Sequence, residues 1–306
     1  MAELAVPSPT RTILTLSHAL LALAVMIVWG TNFVVIRVGL LHLPPLLFAT
    51  LRFTLVAVPA VFFLKRPAVP WRLLIAYGVL IGAGQFGLLY IAMKSSITPG
   101  LASIVVQSQA FFTIGLAMAI DRERVRSFQV AALVLAFAGI GVILAHAGGT
   151  AATPLGLCLT LGSGASWAGG NMISKAAGKI NMLAFVAWSA LFAVPPLLIF
   201  SLMFDGWAAI AQGVTHATPA AWAAVVWQSV GNSMFGYGIW GWLLARYPAA
   251  TVAPMSLLVP VFGMAASAWL LAEPLPGWKI GAAALIMAGL VLNLIWPRLT
   301  ALRSAG

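Results

Sequence analysis

The sequence predicts an all-α membrane protein. It has ten transmembrane helices in two inverted five-helix repeats, with both termini cytoplasmic. Three observations carry this prediction. First, 62% of the 306 residues are hydrophobic and only 7% are charged, with a mean hydropathy of +1.06. A soluble domain carries roughly 25% charged residues, so this composition belongs to a lipid-facing chain. Second, the apolar residues form continuous runs, each close to the ~20 residues a spanning helix needs. A membrane barrel would alternate apolar and polar positions instead. Third, a Trp–Asn–cation pattern in "WGTNFVVIRVG" (29–39) returns in "WAGGNMISKAAG" (167–178), 138 residues later.

Periodicity and turn residues place the spans at about 16–38, 45–64, 71–93, 98–119, 127–146, 154–175, 181–203, 219–244, 249–271 and 277–296. The first run is long, lacks a convincing cleavage site and is followed by many like it, so it reads as a span and not a leader. "LPPLL" separates the first two spans, "ITPG" opens the fourth, "RYPAA" closes the eighth and "EPLPG" precedes the tenth. Pro254 and Pro260 fall inside the ninth span, where each removes a backbone donor and predicts a kink. Gly78 and Gly82 have the GxxxG spacing that permits close helix approach. Cys158 is the single cysteine, so no internal disulfide forms.

The bases set the orientation. With the N-terminus in the cytoplasm, Arg11, Lys65, Arg66, Arg72, Arg122, Arg124, Arg126, Lys175, Lys179, Arg246, Arg298 and Arg303 all fall on the cytoplasmic side, while only Lys94 and Lys279 are clearly outside. The formal net charge of +11 is therefore a topology signal. It does not indicate nucleic acid, because the bases sit in short loops between apolar runs.

The halves repeat. At an offset of 150, Glu123 matches Glu273, Ala132 matches Ala282, Leu135 matches Leu285, and Ala138–Gly139 matches Ala288–Gly289. The predicted repeats span 1–146 and 147–306. Five helices is an odd number, so the second repeat enters the membrane upside down. Arg37 near one face is then the counterpart of Lys175 near the other. Inverted repeats are the architecture of alternating-access carriers, whose site lies near the midplane between the halves.

Polar groups within spans need partners or a wet cavity. Asn32, Arg52, Gln85, Gln107, Asn171, Trp188, Ser233, Tyr237 and Trp240 are the candidate cargo-binding residues. Ser229, Ser233, Tyr237 and Trp240 follow helical spacing and form a polar-aromatic stripe on the eighth span. Interhelical hydrogen bonding is the competing role for each such residue. Arg52 lies seven residues into its span, roughly 10 Å along the axis. Three environments suit it: the cavity, with a cargo carboxylate as partner; the interface, by snorkelling; or a pair with Glu273. Arg37 suits interfacial snorkelling or helix C-terminal capping. Glu3, Asp121, Glu123, Asp205 and Glu273 all sit in loops or at helix ends, so no carboxylate lies mid-membrane. Glu123 and Glu273 precede helices, where the macrodipole favours an acid, and gating is their other role. His18, His42, His146 and His216 are peripheral.

The segments "IVWGTNFVVIRVGL", "PPLLFATLRF", "GLASIVVQSQAFFTI", "SWAGGN", "GYGIWGWLLARY" and "VAPMSLLVPVFG" together resemble the EamA-type branch of the drug/metabolite transporter superfamily over essentially the whole chain. The resemblance implies an inner-membrane exporter of small amino acids and related metabolites, of the O-acetylserine/cysteine type. Its cavity would be lined by the first four spans and the sixth to ninth. No cofactor is expected. The expected partners are the small-molecule cargo and the lipid bilayer, and a monomer is compatible with the reading. Twelve Trp and sixteen Phe keep aromatic amino acids or hydrophobic drugs as alternative cargo. Sugar phosphates would need several cavity cations, and Arg52 alone is too few. A membrane enzyme would need a nucleophile with a base, an acid pair or clustered His within a span, and none is there. A channel would show a selectivity ring.

Overall fold

Lipid cannot hydrogen-bond a free backbone, so an apolar chain of this kind folds into helices that satisfy their own amides. The computed structural model describes residues 14–121, 127–147, 149, 151–178, 180–247 and 252–304, and all its named elements are helical. Glu3, Arg11, Arg122, Glu123, Arg124, Arg126 and Lys179, named above, lie outside the described residues.

The first repeat contains α1 (Leu16–Leu40), α2 (Pro45–Phe63), α3 (Trp71–Ser95), α4 (Pro99–Ile120) and α5 (Ser127–Ala145). The second contains α6 (Pro154–Ala177), α7 (Met182–Asp205), the short α8 (Trp207–His216), α9 (219–246), α10 (253–270) and α11 (Gly277–Ser304). Among the described residues, α1 to α5 and α7 are six helices long and apolar enough to cross a membrane.

Local chemistry sets the starts. Thr15, Thr153, Asn181 and Thr218 each accept a hydrogen bond from a first-turn amide, of His18, Gly156, Ala184 and Ala221 respectively. Pro45, Pro99, Pro154 and Pro219 occupy the first turn, where the missing N–H has no helical partner to lose.

Four departures from uniform α-helix matter. α3 widens into a π-helix over Val79–Gly87, and α9 does the same over Trp227–Gly236. Both stretches carry the same ending, "GAGQFG" (82–87) and "GNSMFG" (231–236), so the two repeats deform at equivalent places. Such bulges are frequent at functional sites. α4 tightens to a 3₁₀ turn at Val106–Ser108. α10 begins as a 3₁₀ turn over Ala253–Leu257 and turns α-helical at Leu258. Pro254 and Pro260 therefore fall near the starts of the two successive pieces of α10. The short α8 was not expected. It follows Gly206, whose φ of 81° turns the chain, and Gly213 brings it against Pro44 and the His42 carbonyl.

Small residues set the helix contacts, and they do so reciprocally. A Cβ on Gly139 would lie 2.8 Å from the Ala282 oxygen, and one on Gly289 would lie 2.6 Å from the Ala132 oxygen. These are the repeat-matched pairs, so α5 and α11 pack through equivalent residues. Gly30 seats α1 on Val259 and Phe262 of α10, as Gly164 seats α6 on Val106 and Ser108 of α4. Gly78 and Gly82 seat α3 on Ser189 and Ala193 of α7, the close approach their spacing predicts.

Candidate functional site

Arg52 stands at the centre of the bundle, fully buried on α2. Its Nη1 donates to the Tyr90 hydroxyl at 3.0 Å and its Nη2 to Ser233 Oγ at 3.0 Å. The guanidinium lies over Phe86, 3.7 Å from the ring centroid, and 5.1 Å from that of Phe53. Its Nε has no partner, and no carboxylate meets it among the described residues. Ring faces and neutral hydroxyls attract a cation without neutralising it. Of the three environments considered for Arg52, the buried one is realised: it neither snorkels nor pairs with Glu273.

Beside Arg52 lies a small cavity, with room for about one water molecule. α2 contributes Arg52 and Phe53, and α3 contributes Tyr77, Gly78, Ile81 and Phe86. α7 adds Val186, Ser189 and Ala190, and α9 adds Ser233 and Tyr237. The walls thus come from both repeats and include the π-helical stretches of α3 and α9. The widening is visible in the bonding, since Ser233 Oγ donates to the carbonyl of Gln228, five residues back. Ser229 Oγ donates to the Arg52 carbonyl at 3.0 Å, tying α9 to α2.

The nine candidate residues fall in different places. Arg52, Ser233 and Tyr237 line the cavity. Asn32 is buried behind it, where its Oδ1 accepts from Gln228 Nε2 at 2.6 Å. Trp240 packs on Trp29, with ring centroids 5.5 Å apart, and Trp29 packs on Tyr237 at the same distance. Gln85 is buried in the π-helical stretch of α3 with its Oε1 unpartnered. Gln107 is buried in the 3₁₀ turn of α4. Asn171 donates to Gln109 Oε1 at 2.8 Å and Thr113 Oγ1 at 3.2 Å, clamping α6 to α4. Trp188 donates from Nε1 to the Leu64 carbonyl at 2.9 Å, at the end of α2. Tyr77, Phe86, Tyr90 and Ser189 were not among the nine. Ser189 had a detectable signal, since it sits at the position of α7 that Arg52 holds on α2.

The two ends of the bundle are held differently. At the α2 N-terminal end, Asp205 Oδ2 accepts from the amides of Leu46 (3.1 Å) and Leu47 (3.0 Å) and from Ser201 Oγ (2.9 Å). Glu273 Oε2 accepts from the Gly100 amide at 2.9 Å, and its Oε1 pairs with Lys279 at 2.9 Å. Arg37 donates to the Lys94 carbonyl at 2.8 Å, and Lys94 donates to the Leu40 carbonyl. Arg37 therefore caps the neighbouring α3, and Lys94 returns the favour to α1. At the opposite end the contacts that join the repeats include the bond from Trp188 to Leu64 and that between His18 Nδ1 and the Tyr247 hydroxyl at 2.6 Å.

A helical bundle whose apolar spans enclose a cavity between two reciprocally packed repeats is the architecture of a multi-pass membrane transporter. Residues 16–145 and 154–295 each match the EamA-like transporter family, and the chain belongs to that family. It is 45% identical over 278 residues to a protein of Salmonella typhimurium described as a probable amino-acid metabolite efflux pump, covering 89% of this chain and 93% of that one. It is 43% identical over 283 residues to an Escherichia coli protein of the same description, covering 91% and 95%. An uncharacterised transporter of Bacillus subtilis is 25% identical over 287 residues, covering 89% and 94%. A protein of known crystal structure shares the fold, with a TM-score of 0.64 at 19% identity, covering 93% of this chain and 98% of that one.

Proposed function

We propose that this chain is an alternating-access exporter of small amino acids and related metabolites, of the O-acetylserine/cysteine type, in the bacterial inner membrane. In this reading all ten longer helices cross the bilayer, both termini are cytoplasmic, and residues 1–146 and 147–306 rock against each other around the cavity. The observation that carries it is Arg52: a buried cation in a cavity between the repeats, with no carboxylate partner among the described residues. A buried cation without a counter-charge is costly, and a cargo carboxylate would supply the missing one. Two of the five guanidinium N–H groups are engaged by Tyr90 and Ser233, which leaves donors for an anion. The relatives described as amino-acid metabolite efflux pumps support the cargo class and direction.

In this structure the cavity is closed down to the room of about one water molecule, so in this reading cargo is admitted only as the repeats part. Arg52, Ser233 and Tyr237 would contact cargo. Asn32, Gln85 and Trp240 would shape the walls behind them, and Gln107, Asn171 and Trp188 would act from the surrounding helices. Aromatic amino acids or hydrophobic drugs are the alternative cargo, favoured by the Phe53, Tyr77, Phe86 and Tyr237 rings in the walls.

Counterflow in proteoliposomes tests the proposal. Vesicles loaded with unlabelled cysteine, O-acetylserine, threonine or tryptophan should accelerate entry of the matching labelled compound for the small cargo. Acceleration by tryptophan alone would move the assignment to the aromatic class. No acceleration with any of them would overturn the amino-acid reading.

A further inference from the structure

Arg52 and Ser189 hold the same place in the two repeats. "LLFATLRF" (46–53) and "LAFVAWSA" (183–190) align without a gap, matching Leu46 to Leu183, Phe48 to Phe185 and Arg52 to Ser189. α2 and α7 pack along each other, and both residues line the cavity. The two-fold relation is kept in position and broken in chemistry, with a guanidinium from one repeat and a hydroxyl from the other.

Ser189 is buried, and its Oγ has no hydrogen-bond partner. A buried hydroxyl left unpaired is costly, and native proteins keep few of them. Ser189 lines the cavity, as does Arg52, whose Nε is likewise unpartnered. Tyr77 and Tyr237 also line this space. A hydroxyl oxygen has lone pairs to accept from an N–H donor, and aromatic faces attract cations. Such a wall can take an ammonium while carrying no charge of its own. The neutrality has a consequence: a fixed carboxylate beside Arg52 would pair with it and compete with the cargo.

We propose that Ser189 is a specificity-determining residue that accepts a hydrogen bond from the α-ammonium of a cargo whose carboxylate meets Arg52. The inference rests on the amino-acid reading above and narrows it. The cargo is a zwitterion with both the α-amino and the α-carboxyl groups free. α-Hydroxy acids and N-acylated amino acids are poor cargo, because neither carries the cationic ammonium whose hydrogen bond to the hydroxyl is charge-assisted.

Alanine and lactate test this, since they differ only in carrying ammonium or hydroxyl on the α-carbon. Reconstituted full-length protein is assayed for counterflow of labelled alanine, with unlabelled L-alanine or L-lactate as competitor. Wild type should prefer alanine by about tenfold or more, and Ser189→Ala should bring the ratio close to one. Ser189→Cys, with a thiol that accepts only weakly, should fall between. A general packing defect would slow both compounds alike and leave the ratio unchanged. Wild-type ratios in both variants would overturn the role of Ser189, and if Arg52→Ala still abolished counterflow, the amino-acid reading would stand without it. Equal competition by lactate and alanine in the wild type would also overturn the inference. Failure of labelled alanine to enter any vesicle, while tryptophan does, would instead overturn the small-cargo reading on which it rests.

Discussion

Glu273 reaches across from the loop before α11 to the first turn of α4, where it accepts the Gly100 amide at 2.9 Å. Glycine eases the approach, because a Cβ at position 100 would lie a tight 3.0 Å from both carboxylate oxygens. The carboxylate also holds the buried Lys279. Breaking one side of a buried ion pair costs about 3–5 kcal/mol, because the remaining charge is stranded. Glu273→Ala should therefore lower the unfolding temperature in detergent more than the Glu273→Ala/Lys279→Ala double variant does. Equal losses would show that the pair is not coupled.

Asp205 does for α2 what Glu273 does for α4, but from the end of α7 and without an ion pair among the described residues. Loss of a helix N-cap costs about 0.5–2 kcal/mol. The cap joins the two repeats, so its loss should also favour opening at that end of the bundle. In a Cys158→Ser background, Leu43→Cys is buried beside this contact. It should react faster with a membrane-impermeant maleimide when Asp205 is changed to Ala. An unchanged rate would mean that Asp205 stabilises the fold without holding the end shut.

The reciprocal packing of α5 and α11 makes a quantitative claim. Gly139 and Gly289 face equivalent carbonyls at 2.8 and 2.6 Å, so Gly139→Val and Gly289→Val should destabilise by similar amounts. Overpacking of this kind costs about 1–3 kcal/mol, read from thermal unfolding in detergent. A large loss at one position with none at the other would contradict the two-fold relation.

Tyr90 holds Arg52 from behind, through a 3.0 Å bond to Nη1. A hydrogen bond to a charged group contributes about 1.5–3 kcal/mol. Tyr90→Phe should raise the counterflow KM for labelled alanine at normal expression, whereas Arg52→Lys, which keeps the charge and loses the fork, should be worse. Wild-type KM in Tyr90→Phe would remove Tyr90 from the positioning of the guanidinium.

Much of the fold was legible in the sequence, because apolar runs and their punctuation are local signals. The pairing of "AG" at 138–139 with "AG" at 288–289 exposed the repeat, and the contact of Gly139 and Gly289 with matched partners follows from it. Arg52 was legible as a site candidate because a cation deep in an apolar run is rare. The rest was set by packing. Whether Arg52 met lipid headgroups, Glu273 or a cavity depended on neighbours more than thirty positions away, such as Tyr90 and Ser233. The π-helical stretches were missed, since a shift in hydrogen-bond register leaves the apolar pattern intact. Asp205 looked like a loop acid because its partners, Leu46 and Leu47, lie in the other repeat. Asn171 had the same sequence signature as a cavity amide, yet it bonds Gln109 and Thr113. Polarity within a span marks residues that need partners without saying whether the partner is protein or cargo.

The most direct test of the account is counterflow of labelled alanine into proteoliposomes loaded with either alanine or alaninamide, in wild type and in Arg52→Ala. If Arg52 holds the cargo carboxylate, alanine accelerates entry and alaninamide does not, and Arg52→Ala abolishes the acceleration in protein that still folds. Undiminished counterflow in Arg52→Ala would contradict the account.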